Sequence, residues 1–215
     1  GWIPLWNAIL ELGLFFVVIY LATSLKQALE REKRYARTDH RTGALNARAF
    51  EELANQEISR CQRYEKPLTA VFLDVDDFKA VNDRFGHAVG DSVLRTLSDT
   101  VKGNIRASDV MARLGGDEFM VLLPECGEEP APAVLSRLAD RLRESMRRNH
   151  WPVTLSIGAV TFLRAPRDYE DLVHRTDSLM YEAKRGGKDL LRHEVVRPEA
   201  AHPPGAGRQT AAESP

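Results

Sequence analysis

Only two cysteines occur among the 215 residues. Cys61 and Cys126 form no CxxC pair and have no histidine at metal-ligand spacing, which argues against a structural zinc site and reads as two reduced cytosolic thiols. Charge of either sign is not in excess: 30 Lys plus Arg stand against 31 Asp plus Glu, a formal net charge of -1. A chain so balanced lacks the basic field that binds nucleic acid or other polyanions, so local charge must carry the chemistry. No internal repeat is visible. With 43% hydrophobic and 28% charged residues, the composition is that of one well-cored domain with appendages.

One long hydrophobic run is present. Ile3 to Ala22, IPLWNAILELGLFFVVIYLA, carries a single charge, Glu11, and about 20 residues at 1.5 Å each cross roughly 30 Å of hydrocarbon. The run predicts a transmembrane helix within residues 1–24, with Glu11 turned toward further helices. Lys26, Arg31, Lys33, Arg34 and Arg37 follow it, which by the positive-inside rule anchors the chain in the inner membrane and leaves the remainder in the cytoplasm. A signal peptide fits poorly, because no basic segment precedes the run and no small-residue cleavage site follows it. A buried amphipathic core helix is the alternative. The first residue is Gly1 rather than Met, as in a fragment or a processed product.

Residues 25–37 read as a helical signalling stalk, with Leu25, Leu29 and Ala36 on an intermittent apolar stripe that could pair with a twin. Residues 196–215 are rich in Pro, Ala and Gly, with little to bury, and predict a disordered tail. Between them, residues 38–195 alternate two periodicities. LTAVFLDVD, Leu68 to Asp76, reads as a strand; Asp91 to Ile105 places Val93, Leu94, Leu97, Val101 and Ile105 on one helical face. Two short apolar runs flank Gly115 and Gly116, a hairpin pattern in which both glycines are expected to take positive φ. A Pro-led amphipathic helix, the strand VTLSIGAVTF and a helix closed by Gly186 and Gly187 follow. The pattern predicts an α/β sandwich with a ferredoxin-like core: helices packed on a mixed sheet around a central hairpin.

The acids need a separate explanation. Side chains two apart on a strand share a face, so Asp74 and Asp76 project together at the strand's end, and a neighbouring hairpin would bring Asp117 and Glu118 to Asp74. Crowded carboxylates repel unless a cation neutralises them, and magnesium takes such oxygen ligands together with substrate phosphates. The spacing leaves a second reading open, in which Asp74 and Asp76 cap the following helix and the turn acids face water.

The segment RLGGDEF, Arg113 to Phe119, matches the signature of GGDEF domains. FLDVDDFKAVNDRFGHAVGDSVL, SIGAV and DSLMYEAKRGGKD extend the match, so residues 38–192 resemble the GGDEF family of diguanylate cyclases. The resemblance implies a palm-like sheet and the condensation of two GTP into cyclic di-GMP with release of pyrophosphate. It implies magnesium, or manganese as its substitute, on Asp74, the Val75 carbonyl, Asp117 and Glu118. Asp117 would accept the proton of the attacking hydroxyl, with Glu118 its rival, and Lys79 would neutralise phosphate charge. Lys184 and Lys188 would bind the triphosphate, the latter where relatives usually carry arginine; Gly115 and Gly116 would shape the substrate turn. Asn82 and Asp91 would read guanine. Phe78 and Phe85 would pack around the pocket, and His87 would be structural.

Because each domain holds one GTP, the resemblance also implies a homodimer. RASD, with Arg106 and Asp109, matches the family's RxxD inhibitory site for the product. The chain departs from the family pattern near its start, where Arg41 and Ala44 replace leucines and Ala47 replaces an arginine. Two alternatives remain: a catalytically silent domain that binds GTP or cyclic di-GMP and regulates a partner, and a nucleotidyl transferase acting on nucleic acid, against which the neutral charge weighs.

Overall fold

A computed structural model describes residues 11–26 and 37–197. Residues 11–26 lie in a helix, α1, and all of them are exposed. The expected membrane span is not found: among the described residues no helix is long and apolar enough to cross a membrane. The described stretch carries Glu11 at one end and Lys26 at the other. A buried core helix is not found there either. Residues 1–10 of the expected span, 27–36 of the stalk and 198–215 of the tail lie outside the described residues.

β1 (Leu45–Asn46) leads into α2 (Ala47–Tyr64), and β2 (Leu68–Val75) follows. Every residue of β2 is buried, so it reads as a continuous apolar run rather than an alternating one. After it come α3 (Phe78–Phe85), α4 (His87–Lys102), β3 (Val110–Gly115), β4 (Glu118–Pro124), α5 (Ala131–Arg148), β5 (Leu155–Phe162), α6 (Tyr169–Arg185) and β6 (Leu191–Val196). The six strands form one sheet in the order β1-β3-β4-β2-β5-β6. β2 pairs antiparallel with both β4 and β5, and β3 with β4. β1 runs parallel to β3 and β6 parallel to β5. The inner four strands and their helices follow the β-α-β-β-α-β connectivity of a ferredoxin-like core, as expected of a mixed sheet around a central hairpin.

Two apolar layers hold the helices. On one face Val71, Leu73, Val121 and Ile157 meet Val93 and Leu97 of α4 and Leu135 and Leu142 of α5. On the other, Phe72, Met120 and Val160 meet Phe50 and Ile58 of α2 and Leu172 and Met180 of α6. β2 contributes to both layers because alternate side chains point to opposite faces.

Three elements lie outside the sequence reading. α2 is polar over most of its length and buries only Ala49, Phe50, Ala54, Ile58 and Cys61; its start is set by Asn46, whose side chain accepts from Ala49 N at 2.9 Å. β1 has two residues. β6 is a half-exposed edge strand that reaches Val196, the first residue assigned to the tail.

Candidate active site

β2 and β4 set the site through their register. Asp74 lies directly opposite Glu118 on one side and Ser156 of β5 on the other, and residues directly opposite in a ladder point to the same face. The hairpin between β3 and β4 turns over Gly116 and Asp117 alone. Only Gly116 takes positive φ, at 48°. Gly115 does not, contrary to expectation, because it stays in the ladder opposite Glu118 and a register shift between Arg113 and Gly115 absorbs the change of direction. A Cβ on either glycine would meet open space, so packing makes no demand for glycine here.

Asp74 is 4% exposed, and Lys184 of α6 holds it, with Nζ 2.7 Å from Oδ1. The angle leaves Oδ1 without an aligned hydrogen-bond donor. Burial pushes the Asp74 carboxyl up to about 6; Lys184 opposes that shift, and the charges of Asp117 and Glu118 add to it. Glu118 is also pushed up, by burial first and then by Asp117 and by Asp177 of α6. Three carboxylates are not gathered as closely as expected: among the described residues no group of three or more His, Cys, Asp or Glu is placed to hold a metal ion. Like charges repel, and the Lys184 ammonium takes the central place. The residues still fit a cation, because the buried Asp74 carboxylate, which now faces the Lys184 ammonium and feels the charges of Asp117 and Glu118, offers the kind of oxygen ligand magnesium takes alongside waters and phosphates. Val75 ends β2 with its side chain in the core.

Asp76 plays another part than the one expected. Its Oδ1 accepts from Ser156 Oγ at 2.7 Å, and its Oδ2 from Thr154 Oγ1 at 2.6 Å and from the backbone N of Asp189 at 3.2 Å. The buried carboxylate therefore anchors the turn after α6. Arg143 of α5 holds the same turn, its Nε donating to Asp189 Oδ1 at 2.8 Å. Lys188 sits in that turn at φ 63°, a conformation a lysine adopts when its surroundings hold it, and Nζ donates to both oxygens of Asp77 at 2.7 and 2.8 Å. The N-cap of α3 is Asp77, without a side-chain cap bond, so neither Asp74 nor Asp76 caps that helix.

The expected base-reading residues come together between α3 and α4. Gly90 is the contact: a Cβ there would lie 2.0 Å from Asn82 Oδ1 and 3.2 Å from Phe78 Cζ. Asn82 therefore rests on the Gly90 backbone, beside Asp91. Lys79 is exposed on α3 and His87 on α4. Phe85 does not pack as expected; it is 42% exposed, with the Arg84 guanidinium 5.0 Å above its ring.

Two residues outside the expected site tie the hairpin to the start of the domain. Arg113 donates through Nε and Nη2 to Gly116 O at 2.9 and 2.6 Å and through Nη1 to Asp39 Oδ1 at 3.0 Å. Asp39 also accepts from Thr42 N and Oγ1. Burial pushes Asp39 up, but hydrogen bonds from Thr42 and Arg113 and the Arg113 charge outweigh it and hold the carboxyl below its ordinary value. The sequence offered a signal, an arginine three residues before Gly116, whose role depends on a partner 74 positions away. Arg106 and Asp109 form a turn, with Asp109 Oδ2 accepting from Arg106 N at 2.7 Å, and Arg106 is exposed. A cavity lined by Glu57, Arg60, Cys61 and Pro124 opens near the opposite end of β4 from Glu118.

The family profile described as "Diguanylate cyclase, GGDEF domain" matches residues 36–190. Diguanylate cyclase DosC of Escherichia coli K12 is 34% identical over 179 residues, covering 81% of this chain and 39% of DosC. Diguanylate cyclase DgcP of Pseudomonas aeruginosa is 35% identical over 173 residues, covering 79% of this chain and 26% of DgcP. The chain thus spans less than half the length of these curated relatives. Among solved structures, a microbial GGDEF domain described with cyclic di-GMP superposes with a TM-score of 0.66 at 34% identity, covering 75% of this chain and 99% of that one. The GGDEF domain of DgcB from Caulobacter crescentus, in complex with c-di-GMP, gives 0.64 at 27% identity, covering 73% and 92%.

Proposed function

Because the chain belongs to the GGDEF-domain family, we propose that it is a diguanylate cyclase that joins two GTP molecules into cyclic di-GMP. In each of two displacements a ribose 3′-oxygen forms a bond to the α-phosphorus of the other GTP, the bond to the β-phosphate oxygen breaks, and pyrophosphate leaves. The observation that carries the reading is the β2–β4 register, which sets buried Asp74 opposite Glu118 beside the Gly116–Asp117 turn.

Asp74, the Val75 carbonyl, Asp117 and Glu118 would hold magnesium, or manganese in its place. Bound there, the ion supplies charge neutralisation and Lewis acidity to the phosphates. Asp117, at the turn tip, accepts the hydroxyl proton, with Glu118 next in line. Lys184 and Lys188 extend from α6 and the turn after it to the triphosphate, and Lys79 faces the same charge from α3. Asn82 and Asp91 receive the guanine edge. Since each domain binds one GTP, two copies meet face to face to complete the reaction.

Incubation of the chain with GTP and Mg²⁺, followed by separation of the nucleotides, tests the reading. We expect cyclic di-GMP and pyrophosphate, with Asp117→Asn slowed by about 10²-fold or more, the scale of lost proton transfer. Binding of GTP without turnover would instead establish the silent regulatory domain. Added cyclic di-GMP in the same assay reports on the exposed RASD turn: Arg106→Ala should relieve product inhibition, and unchanged inhibition would remove that site.

A further inference from the structure

Arg41 stands where the family pattern has a leucine, and its guanidinium does not point idly into solvent. Its Nη1 lies 2.8 Å from Asp91 Oδ1, the acid that the proposed function assigns to guanine, and the inference rests on that assignment. The backbone around Arg41 is fixed by other contacts. The Arg41 carbonyl accepts from Arg95 Nε at 3.0 Å, and the Thr42 carbonyl accepts from Ser98 Oγ at 3.0 Å and Lys102 Nζ at 3.2 Å. Asp91, Arg95, Ser98 and Lys102 follow one another at helical spacing along one face of α4. The turn after Asp39 is laid along that face, and its arginine reaches the end of the face where Asp91 and Asn82 stand.

Guanine offers two donors on one edge, the N1 proton and the exocyclic amino group, a pair that matches the two oxygens of a single carboxylate. Arg41 already engages one of those oxygens. We propose that Arg41 is an affinity- and specificity-determining residue of the base pocket: its guanidinium competes with guanine for Asp91 Oδ1, and loading a guanine nucleotide displaces it. A base with only one donor on that edge bonds through Oδ2 and leaves the arginine in place. Hypoxanthine, which lacks the exocyclic amino group, is such a base.

GDP and IDP carry these two edges and cannot release pyrophosphate, so they probe binding without turnover. Calorimetric titration of both into the full chain and into Arg41→Leu, at an ionic strength of about 0.01 M where exposed pairs are least screened, separates the outcomes. An exposed pair is worth little, so the expected gain in Arg41→Leu is about two- to fivefold tighter GDP binding, with IDP unchanged. Arg41→Met, which keeps an unbranched stem over α4, should give the same shifts at an unaltered melting temperature. GDP binding that does not tighten, or IDP binding that tightens equally, overturns the role of Arg41 alone. Failure of the full chain and both variants to bind GDP or IDP overturns the nucleotide reading and this inference with it.

Discussion

Two glycines show how single residues set the site. At Gly158 on β5, a Cβ would lie 2.2 Å from Met180 N and 2.4 Å from Thr176 O. Those atoms belong to the backbone of α6 and cannot swing aside, so α6 rests on the sheet only because this strand position has no side chain. At Gly90 the intruding methyl would meet the end of the Asn82 side chain, which can turn. The same substitution thus has different consequences at the two positions. Gly158→Ala should destabilise the fold by about 3 kcal/mol, the upper end of the range for overpacking, read as a lower denaturant midpoint. A midpoint equal to that of the unaltered chain would mean that α6 does not sit this close. Because α6 carries Lys184, the seating of this helix also fixes the cation beside Asp74.

The hairpin and the turn before β1 act as one element through Arg113. Its guanidinium bridges Gly116 O at the tip and Asp39 in the turn, so the position of Asp117 follows from a contact made before the first strand begins. The sign of the pH effect follows from the net shift. Asp39 sits below its ordinary value of 3.8, and a carboxyl depressed by folding adds stability above its unfolded value and loses that stability as pH falls through the folded one. Asp39→Asn should therefore lower the melting temperature at pH 7, and the gap to the unaltered chain should close as pH falls below about 4. A gap independent of pH would show that the carboxylate charge contributes nothing.

How much of this was legible follows from the range of each contact. β2, the hairpin, α4 and α6 announce themselves because their periodicity or turn residues are local. Asp74 and Glu118 could be paired from strand reasoning, since a face and a register follow from spacing. Asp76 could not be assigned, because its partners Thr154, Ser156 and Asp189 lie 78 to 113 positions away. α2 was missed because its buried side is marked mostly by small residues, Ala49, Ala54 and Cys61, in a polar segment, and β6 because an edge strand following two glycines resembles the start of a tail. The positive φ expected at Gly115 failed because the hairpin closes over Gly116 and Asp117, which keeps Gly115 in the ladder opposite Glu118.

At the scale of the whole molecule, the proposed function gives each chain one nucleotide, and on that proposal activity depends on encounter. A reaction that needs two copies should show specific activity rising with chain concentration until the dimer saturates. Initial rates of the full chain across a dilution series check this, and a rate strictly proportional to concentration throughout would place both nucleotides on one copy or on a pair that never separates.

The way α4 holds the turn after Asp39 has one more consequence. Arg95, Ser98 and Lys102 grip the carbonyls of Arg41 and Thr42, and a main-chain oxygen is the same whatever side chain accompanies it. The attachment is therefore indifferent to the identity of residue 41. Substitution at that position leaves these attachments in place, so the proposed base pocket can be retuned one substitution at a time beside a frame that does not register the change.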